Sequence, residues 1–240
     1  MKIGLIGYGK MGKAIEAIAL ERGHTIVFRV NSEHPIEQAD FSLADVAIEF
    51  SQPALALKHI TYCVEHQLPV VVGTTAWQQQ LDEVKALVEQ HDATLLYASN
   101  FSIGVNILFR VNELMAALMV KQPDYTSSIE EIHHLQKLDA PSGTAVTLAE
   151  GIITNHNGYS EWICGEGTAP ETTTHQLGIL AIREPEVPGT HVVKYTSEID
   201  TLTLTHEAHS RKGFAQGAVV AAEFLEGKKG LFTMRDVLAL

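Results

Sequence analysis

The first hundred residues alternate short apolar runs with longer segments whose apolar residues recur at helical spacing. Residues 2–6 form an apolar run, after which Ala14, Ile15, Ile18 and Ala19 recur three or four positions apart. Further runs of strand length follow at residues 24–30, 45–50, 69–73 and 94–97, with helical patterns at 53–66 and 77–90. This alternation predicts βαβ units, and continuous apolar runs are typical of a parallel sheet buried on both faces.

The pattern changes beyond Phe101, where helices and strands no longer alternate regularly. The spacing predicts helices over 104–119 and 143–153, a strand over 127–134, a polar loop over 155–174, and strands over 176–210 with a turn at 183–190. Residues 211–240 return to a helical pattern. The sequence therefore predicts one domain over 1–101, completed by 211–240. It also predicts an inserted α+β domain over 102–210.

A glycine motif joins the first predicted strand to the first predicted helix. Gly7 permits a tight turn, Gly9 lets a pyrophosphate approach the backbone, and Gly12 lets helix and strand pack closely. With this strand–turn–helix context the motif predicts dinucleotide binding by Gly7, Tyr8, Gly9, Lys10, Met11 and Gly12. The predicted fold is a Rossmann-type doubly wound parallel sheet with an inserted mixed α+β domain.

Two polar loops follow later strands of the predicted sheet. Ligands of open α/β sheets bind beyond the carboxyl ends of the strands, so both loops are candidate nicotinamide contacts. Taken alone, each would be an ordinary polar turn, and only its position favours binding. The residues concerned are Gly73, Thr74 and Thr75, and Ala98, Ser99, Asn100 and Phe101.

The end of the second strand bears on the choice of dinucleotide. An acidic residue there would bind the adenine ribose hydroxyls of NAD, but this chain has Asn31 and Ser32, with Arg29 before them and Glu33 after. Asn31 and Ser32 do not repel a 2′-phosphate, whereas Glu33 could turn towards the ribose and favour NAD. The sequence leaves both NADPH and NADH open.

Composition narrows the class of protein. The chain has 240 residues, 45% hydrophobic and 19% charged, which is ordinary globular usage. A formal net charge of −12 argues against nucleic acid as a partner. The first predicted strand begins at Lys2 and no run of about eighteen apolar residues occurs, so the sequence predicts a cytoplasmic protein without a membrane partner.

Residues 131–145 concentrate ionisable side chains. His133, His134 and Lys137 can transfer protons or hold an anion, and Pro141-Ser142-Gly143-Thr144 opens a predicted helix whose first N–H groups could meet a carboxylate. The alternative is one solvated histidine beside one bonded to a backbone carbonyl. A metal is not expected, because Cys63 and Cys164 lie far from the histidines and form no CxxC pair.

The block from Glu131 to Ala145 resembles the signature of the 4-hydroxy-tetrahydrodipicolinate reductase family, also called dihydrodipicolinate reductase, of diaminopimelate and lysine biosynthesis. Gly73-Thr74-Thr75, the segment 98–106 and the tail segments 214–218 and 230–238 are similar to that family in order and spacing. Two features depart from it: the glycine turn is the shorter GxGxxG form, and Asn31 replaces the acid that helps bind NAD. The first departure leaves the fold intact, and the second leaves cofactor preference open.

The resemblance implies a reaction and roles for the residues. Hydride from NAD(P)H would reduce a cyclic dicarboxylate, with loss of water, to tetrahydrodipicolinate. His133 and Lys137 would be the acid/base groups, and His134, Ser142, Gly143 and Thr144 would contact substrate carboxylates. The resemblance also implies a homotetramer, consistent with strand edges that need covering. Two alternatives are another nicotinamide-dependent amino-acid or keto-acid dehydrogenase and a dinucleotide-sensing domain without catalysis, which would not need His133, His134 and Lys137 together.

Overall fold

The computed structural model describes residues 1–210 and 212–240, and these form two compact units. The first unit contains Met1–Ile103 and Lys212–Leu240, and the second spans Gly104–Arg211. Residue 211, where the predicted domain boundary falls, lies outside the described residues. The functions predicted for the two domains are taken up below as proposals.

The first unit is built on a six-stranded sheet in which every neighbouring pair is parallel. The strand order is β11-β5-β4-β3-β1-β2, so the order reverses between β1 and β3, as in a doubly wound sheet. The central strands are buried on both faces, which explains their unbroken apolar sequences. The strands are β1 (Lys2–Ile6), β2 (Thr25–Val30), β3 (Val46–Glu49), β4 (Val70–Val72), β5 (Thr94–Tyr97) and β11 (Gly230–Phe232).

Helices cover both faces of this sheet. Residues of α2 and α3 bury their apolar sides in one hydrophobic cluster, and residues of α1, α6 and α7 bury theirs in another. Gly217 allows α6 to pack directly against the backbone of Phe101, since a Cβ at position 217 would lie 1.7 Å from the carbonyl oxygen of Phe101. The helices are α1 (Lys10–Glu21), α2 (Pro53–Glu65), α3 (Leu81–Gln90), α6 (Lys212–Phe224) and α7 (Met234–Leu238).

The second unit has a five-stranded mixed sheet of order β10-β9-β6-β8-β7. The pairs β6·β8 and β7·β8 are parallel, whereas β6·β9 and β9·β10 are antiparallel. Alternate residues of β6 and β8 are buried, so one face of the sheet packs against α4 and α5 in a shared apolar cluster. The elements are α4 (Ile103–Met119), β6 (Thr126–His133), α5 (Gly143–Asn155), β7 (Glu161–Glu166), β8 (Gln176–Arg183), β9 (Thr190–Thr196) and β10 (Thr201–Glu207).

Three local predictions are wrong. β7 lies inside the segment 155–174, which the sequence predicts to be a polar loop. The strand was missed because its residues are half-buried without the alternation of buried and exposed positions that marks a strand. β11 lies in the tail predicted as helix, since its three residues become a strand only by pairing with β5. The predicted helix over 77–90 begins at Leu81, after a 3-10 turn at Gln78–Gln80.

Among the residues described here, no helix is both long and apolar enough to cross a membrane.

Candidate active site

Three glycines shape the turn between β1 and α1, and each does so differently. Gly7 has a φ of +92°, and a Cβ there would lie 2.1 Å from the carbonyl oxygen of Phe50. A Cβ at Gly12 would lie 2.3 Å from the carbonyl oxygen of Gly7. The Cβ position of Gly9 has nothing within 4 Å. The turn therefore leaves open space over Gly9, at the end of a helix whose first N–H groups have no intrahelical partner.

The other motif residues surround this turn. The Tyr8 hydroxyl donates a hydrogen bond to Glu16, which also pairs with Arg29. The Arg29 guanidinium lies 5.4 Å from the centroid of the Tyr8 ring. Arg29 is thus already paired with a carboxylate. Lys10 is exposed at the start of α1, and Met11 packs against the cluster that contains α1.

Asn31 shapes the loop that follows β2. Its Oδ1 accepts hydrogen bonds from the backbone N–H of Glu33 at 2.8 Å and of His34 at 2.9 Å. The side-chain NH2 is then the group that Asn31 can offer to a ligand. A hydrogen-bond donor suits ribose hydroxyls or a phosphate alike.

A cavity of about 490 Å³ opens at the carboxyl ends of β1, β2 and β3. Open space over Gly9, a helix N-terminus and a few polar groups in a mostly apolar wall are features that a dinucleotide needs, so these residues fit the cofactor. The cavity is lined by Gly7, Tyr8, Gly9, Val30, Asn31, Ser32, Pro35, Ile36, Phe50, Ser51, Gln52, Leu55, Lys58 and His59.

The two predicted nicotinamide loops lie at the same edge of the sheet. The Oγ1 of Thr74 accepts a hydrogen bond of 2.8 Å from the N–H of Ser51. A Cβ at Gly73 would lie 2.1 Å from the ring of Phe50, whose centroid is 5.5 Å from that of Phe101. Phe50 therefore joins the loops after β4 and β5 to the loop after β3.

The individual residues of these loops differ in exposure. Thr75 and Ser99 are exposed, Ala98 packs against the cluster that contains α1, and the Oδ1 of Asn100 accepts a hydrogen bond of 2.8 Å from the N–H of Ser102. Neither 73–75 nor 98–101 lines the 490 Å³ cavity in the part of the chain that the structure describes.

Sequence reasoning missed a buried polar cluster in the cavity wall. Glu49 is fully buried at the end of β3, and its Oε1 accepts a hydrogen bond from the Ser51 hydroxyl and lies 3.2 Å from Nδ1 of His59 on α2. Ser51 and His59 both line the cavity. A glutamate inside an apolar strand is the signal that could have pointed to this cluster.

In the second unit, β6 places His133 beside a buried carboxylate. Oε2 of Glu131 lies 2.7 Å from Nδ1 of His133, to one side of the ring N–H direction. Glu131 is fully buried, and His133 is 8% exposed. His191 on the neighbouring strand lies edge to face against His133, with ring centroids 5.0 Å apart.

Arg183 binds the same carboxylate from β8. Its Nη2 donates to Oε1 of Glu131 at 3.0 Å and to the carbonyl oxygen of Asp139 at 2.7 Å. Burial raises the pKa of the Glu131 carboxyl, but His133, Ser142 and Arg183 together outweigh burial and lower that pKa to about 2. Glu131 is therefore ionised at neutral pH.

Lys137 is held by a carboxylate two residues further along the chain. Its ammonium donates to Oδ1 and Oδ2 of Asp139 at 2.9 and 2.8 Å. Burial raises the pKa of the Asp139 carboxyl, but the hydrogen bond and the positive charge of Lys137 outweigh burial and lower that pKa. Because Arg183 contacts the Asp139 carbonyl, Lys137 and His133 belong to one connected polar network.

Ser142 caps α5, as the sequence predicts. Its Oγ accepts a hydrogen bond of 3.2 Å from the N–H of Ala145 and lies 3.1 Å from Nε2 of His191. The hydroxyl is thus used inside the protein. Gly143 at the start of α5 is exposed, with nothing within 4 Å of its Cβ position. His134 follows β6 and is half-buried, and Thr144 lies in the first turn of α5.

Glu131, His133 and His191 also meet a distance criterion for a metal site, because their donor atoms all lie within 4.8 Å of one another. Two features favour a network of ion pairs instead. Oε2 of Glu131 is already 2.7 Å from His133, and the Arg183 cation contacts the same carboxylate, which disfavours a second cation there. Cys63 and Cys164 are free thiols.

Comparison with known proteins identifies the family to which this chain belongs. Residues 1–101 match the family model described as "Dihydrodipicolinate reductase, N-terminus", and residues 104–238 match the one described as "Dihydrodipicolinate reductase, C-terminus". The chain belongs to this family. The family assignment, the oxidoreductase class and a pyridine-nucleotide cofactor, as the sequence predicts them, are therefore confirmed.

Curated relatives agree over the whole length. A 4-hydroxy-tetrahydrodipicolinate reductase of Christiangramia forsetii is 48% identical over 242 residues, covering 100% of this chain and 98% of the relative. One of Akkermansia muciniphila is 35% identical over 236 residues, covering 97% and 95%. A solved dihydrodipicolinate reductase from Paenisporosarcina sp. TG-14 with dipicolinate bound is 24% identical, covers 97% of each chain and has a TM-score of 0.77. The predicted fold class is confirmed.

Proposed function

We propose that this member of the dihydrodipicolinate reductase family reduces 4-hydroxy-tetrahydrodipicolinate to tetrahydrodipicolinate, with loss of water, in diaminopimelate and lysine biosynthesis. The observation that carries the proposal is the polar network of the second unit. It joins His133 and Lys137, the two candidate acid/base groups, through Glu131, Arg183 and Asp139. A dehydrogenase for uncharged substrates would not need this concentration of cations.

The first unit would hold the cofactor. The Gly7–Gly12 turn and the N-terminus of α1 would bind the pyrophosphate, and Asn31 would contact the adenine ribose. The loops 73–75 and 98–101 would contact the nicotinamide end. The bound cofactor supplies the hydride. With Arg29 paired to Glu16 and Asn31 uncharged, the protein would accept both NADH and NADPH.

The second unit would hold the dicarboxylate substrate. Lys137, His134 and the positive end of α5 at Gly143 and Thr144 are the groups suited to its carboxylates. Because the Ser142 hydroxyl is used by His191 and Ala145, Ser142 would act through the backbone at the helix start.

His133 and Lys137 would carry the protons. Hydride delivery to the ring leaves negative charge on the neighbouring carbon and nitrogen, so a protonated donor must stand close. Both side chains carry nitrogen atoms that can transfer a proton, and Lys137 would in addition attract the dianion.

The decisive test is a spectrophotometric assay of reduced cofactor, with the product of dihydrodipicolinate synthase generated in the same cuvette. We expect oxidation of NADPH and of NADH that depends on the synthase product. Oxidation with keto acids or amino acids but not with this product would favour the alternative dehydrogenase.

A homotetramer is part of the proposal. β10 forms one edge of the second sheet, and its residues 201–203 are exposed, so its unpaired backbone groups are available to another copy. Light scattering is expected to give four times the 26.2 kDa of one chain. A monomer at working concentration would refute this assembly.

A further inference from the structure

Glu131 is an unusual residue for its place in the sheet. It lies in the middle of the second sheet, between β8 and β9, and none of its side chain is exposed. A buried carboxylate is costly unless cations or hydrogen-bond donors surround it. Here His133 and Arg183 supply that compensation from β6 and β8.

Strand register explains how these groups meet. Glu131 and His133 are two residues apart on β6, so their side chains leave the same face. Arg183 is the register partner of His133 on β8, and His191 is the register partner of Glu131 on β9. The four side chains therefore converge because of the pairing of three strands.

The two nitrogens of the His133 ring have different surroundings. Nδ1 faces the Glu131 carboxylate at 2.7 Å, whereas Nε2 faces Gly189. A Cβ at position 189 would lie 3.0 Å from Nε2 and 3.2 Å from Cδ2. Because residue 189 is glycine, no side chain from that position crowds the Nε2 edge, while the carboxylate lies against the Nδ1 edge.

The geometry points to Glu131 as a positioning residue for His133. Its carboxylate keeps the proton on Nδ1 and fixes the ring, so that Nε2 is the nitrogen that exchanges a proton with the substrate. Arg183 holds Glu131 in place from the other side. This inference rests on the proposed function for the part that concerns turnover, but the orientation of the ring can be tested without substrate.

The charged and titratable groups around this pair come from β8, β10 and the loop after β6, and they are Arg183, His206, and Lys137 with its partner Asp139. Arg183 on β8 is a permanent cation, and Lys137 contributes a second positive charge from the loop after β6. Burial, with the positive charge of His133, lowers the pKa of His191 to about 3. His191 is then neutral at pH 7, and it does not compete with His133 as a cation for Glu131.

The first experiment reads the ring directly by NMR on protein labelled with ¹⁵N-histidine. The His133 signals are assigned by their loss in His133→Gln. In the unsubstituted protein we expect Nδ1 to stay protonated when the ring is neutral. In Glu131→Gln we expect a mixture of tautomers, because the amide no longer imposes one. Glu130→Gln is the matched control, since Glu130 is the neighbouring residue of β6 and pairs with Lys194 at 3.2 Å instead.

The second experiment measures kinetics over pH for the same variants. Glu131→Gln is expected to lower kcat about 10- to 100-fold with a smaller change in KM, as is typical when the partner of a functional histidine is lost. The limb of the pH–rate profile that disappears in His133→Gln should move to lower pH, because a neutral neighbour no longer stabilises the imidazolium. Glu131→Asp should recover part of kcat.

Gly189→Ala tests the same ring from its other edge and keeps the Glu131 charge. Gly189 has a φ of +155°, so alanine there strains the backbone and also crowds the His133 ring, and kcat should fall while the fold, followed by circular dichroism, is retained. This variant and Arg183→Lys decide the matter if Glu131→Gln does not fold.

The outcomes separate the two proposals. Unchanged His133 tautomer in Glu131→Gln, or wild-type kcat and pH profile in that variant, would overturn the positioning role. If the unsubstituted protein has no reductase activity but Glu131→Gln still changes the tautomer, the proposed function fails and the effect of Glu131 on the ring stands.

Discussion

Lys137 is held by Asp139 with both carboxylate oxygens, and its side chain is 20% exposed. A side chain in this position contributes little to the core, so its replacement should affect chemistry more than folding. The same ammonium could either donate a proton or attract the dianion, and the two roles predict different kinetic effects.

We expect Lys137→Ala to lower kcat about 10²- to 10⁴-fold, the usual cost of losing a proton donor. The melting temperature should stay near that of the unsubstituted protein. Lys137→Arg keeps the positive charge but not a group that gives up a proton at neutral pH. It should therefore restore KM more than kcat. Lys121→Ala, an exposed lysine of the same unit, is the control. An unchanged kcat in folded Lys137→Ala would remove Lys137 from the chemistry.

At the scale of one residue, we expect Asn31 to influence cofactor preference. We expect NADH and NADPH to be used within about tenfold of each other in kcat/KM, a difference of about 1.4 kcal/mol. Asn31→Asp should shift the ratio towards NADH, because a carboxylate accepts the ribose hydroxyls and repels a 2′-phosphate. The loop should keep its shape, since an Asp oxygen can still accept from Glu33 and His34 as Oδ1 does now. If the measured ratio does not move, Glu33 becomes the residue to test.

At the scale of elements, the turn from β1 into α1 contains glycines whose replacement should affect folding and ligand binding differently. Gly12 is needed for packing, because a Cβ there would meet the carbonyl oxygen of Gly7 at 2.3 Å. Gly9 is not needed for packing, because its Cβ position is open. The same motif therefore contains one glycine that packing requires and one, Gly9, that we propose faces the ligand.

Gly9→Ala should leave the melting temperature unchanged and weaken dinucleotide binding, since the methyl group takes space proposed for the pyrophosphate. Gly12→Ala should lower both. Calorimetric titration with NADPH and thermal unfolding of the two variants provide the measurement. Equal NADPH affinity in Gly9→Ala and the unsubstituted protein would contradict the placement of the pyrophosphate over Gly9.

At the scale of the whole molecule, stability should fall in acid through the buried groups of the second unit. The pKa of Glu131 is lowered from 4.5 to about 2, and that of His191 from 6.5 to about 3. In both cases the unfolded chain binds more protons than the folded protein, so the unfolding free energy decreases as the pH falls. The loss belonging to His191 begins below pH 6.5 and that of Glu131 below pH 4.5.

Urea unfolding at a series of pH values measures this loss. Trp162 lies in the second unit and Trp77 in the first, so a Trp77→Phe background reports the second unit by fluorescence. Adding Glu131→Gln should reduce the pH dependence below pH 4.5, and Glu130→Gln should not. The same slope in all three proteins would show that Glu131 is not the group responsible.

The sequence by itself determined the features that are local in the chain. The strand–glycine turn–helix at the N-terminus, the cap at Ser142 and the proximity of His133 to Lys137 each depend on short spacing, and periodicity fixed most elements of the first sheet. Cofactor preference stayed open because an uncharged Asn31 neither repels a 2′-phosphate nor rules out a ribose contact. β7 and β11 escaped detection because a short strand is defined by its partner more than by its own residues.

The tertiary structure alone decided which distant residues join the site. Arg183 and His191 reach Glu131 because β8 and β9 pair with β6 in one register, and a shift of one residue would turn them to the other face. His59 meets the buried Glu49 because α2 packs against the sheet. Such contacts depend on pairing and packing between separate segments, which no single segment of the sequence encodes.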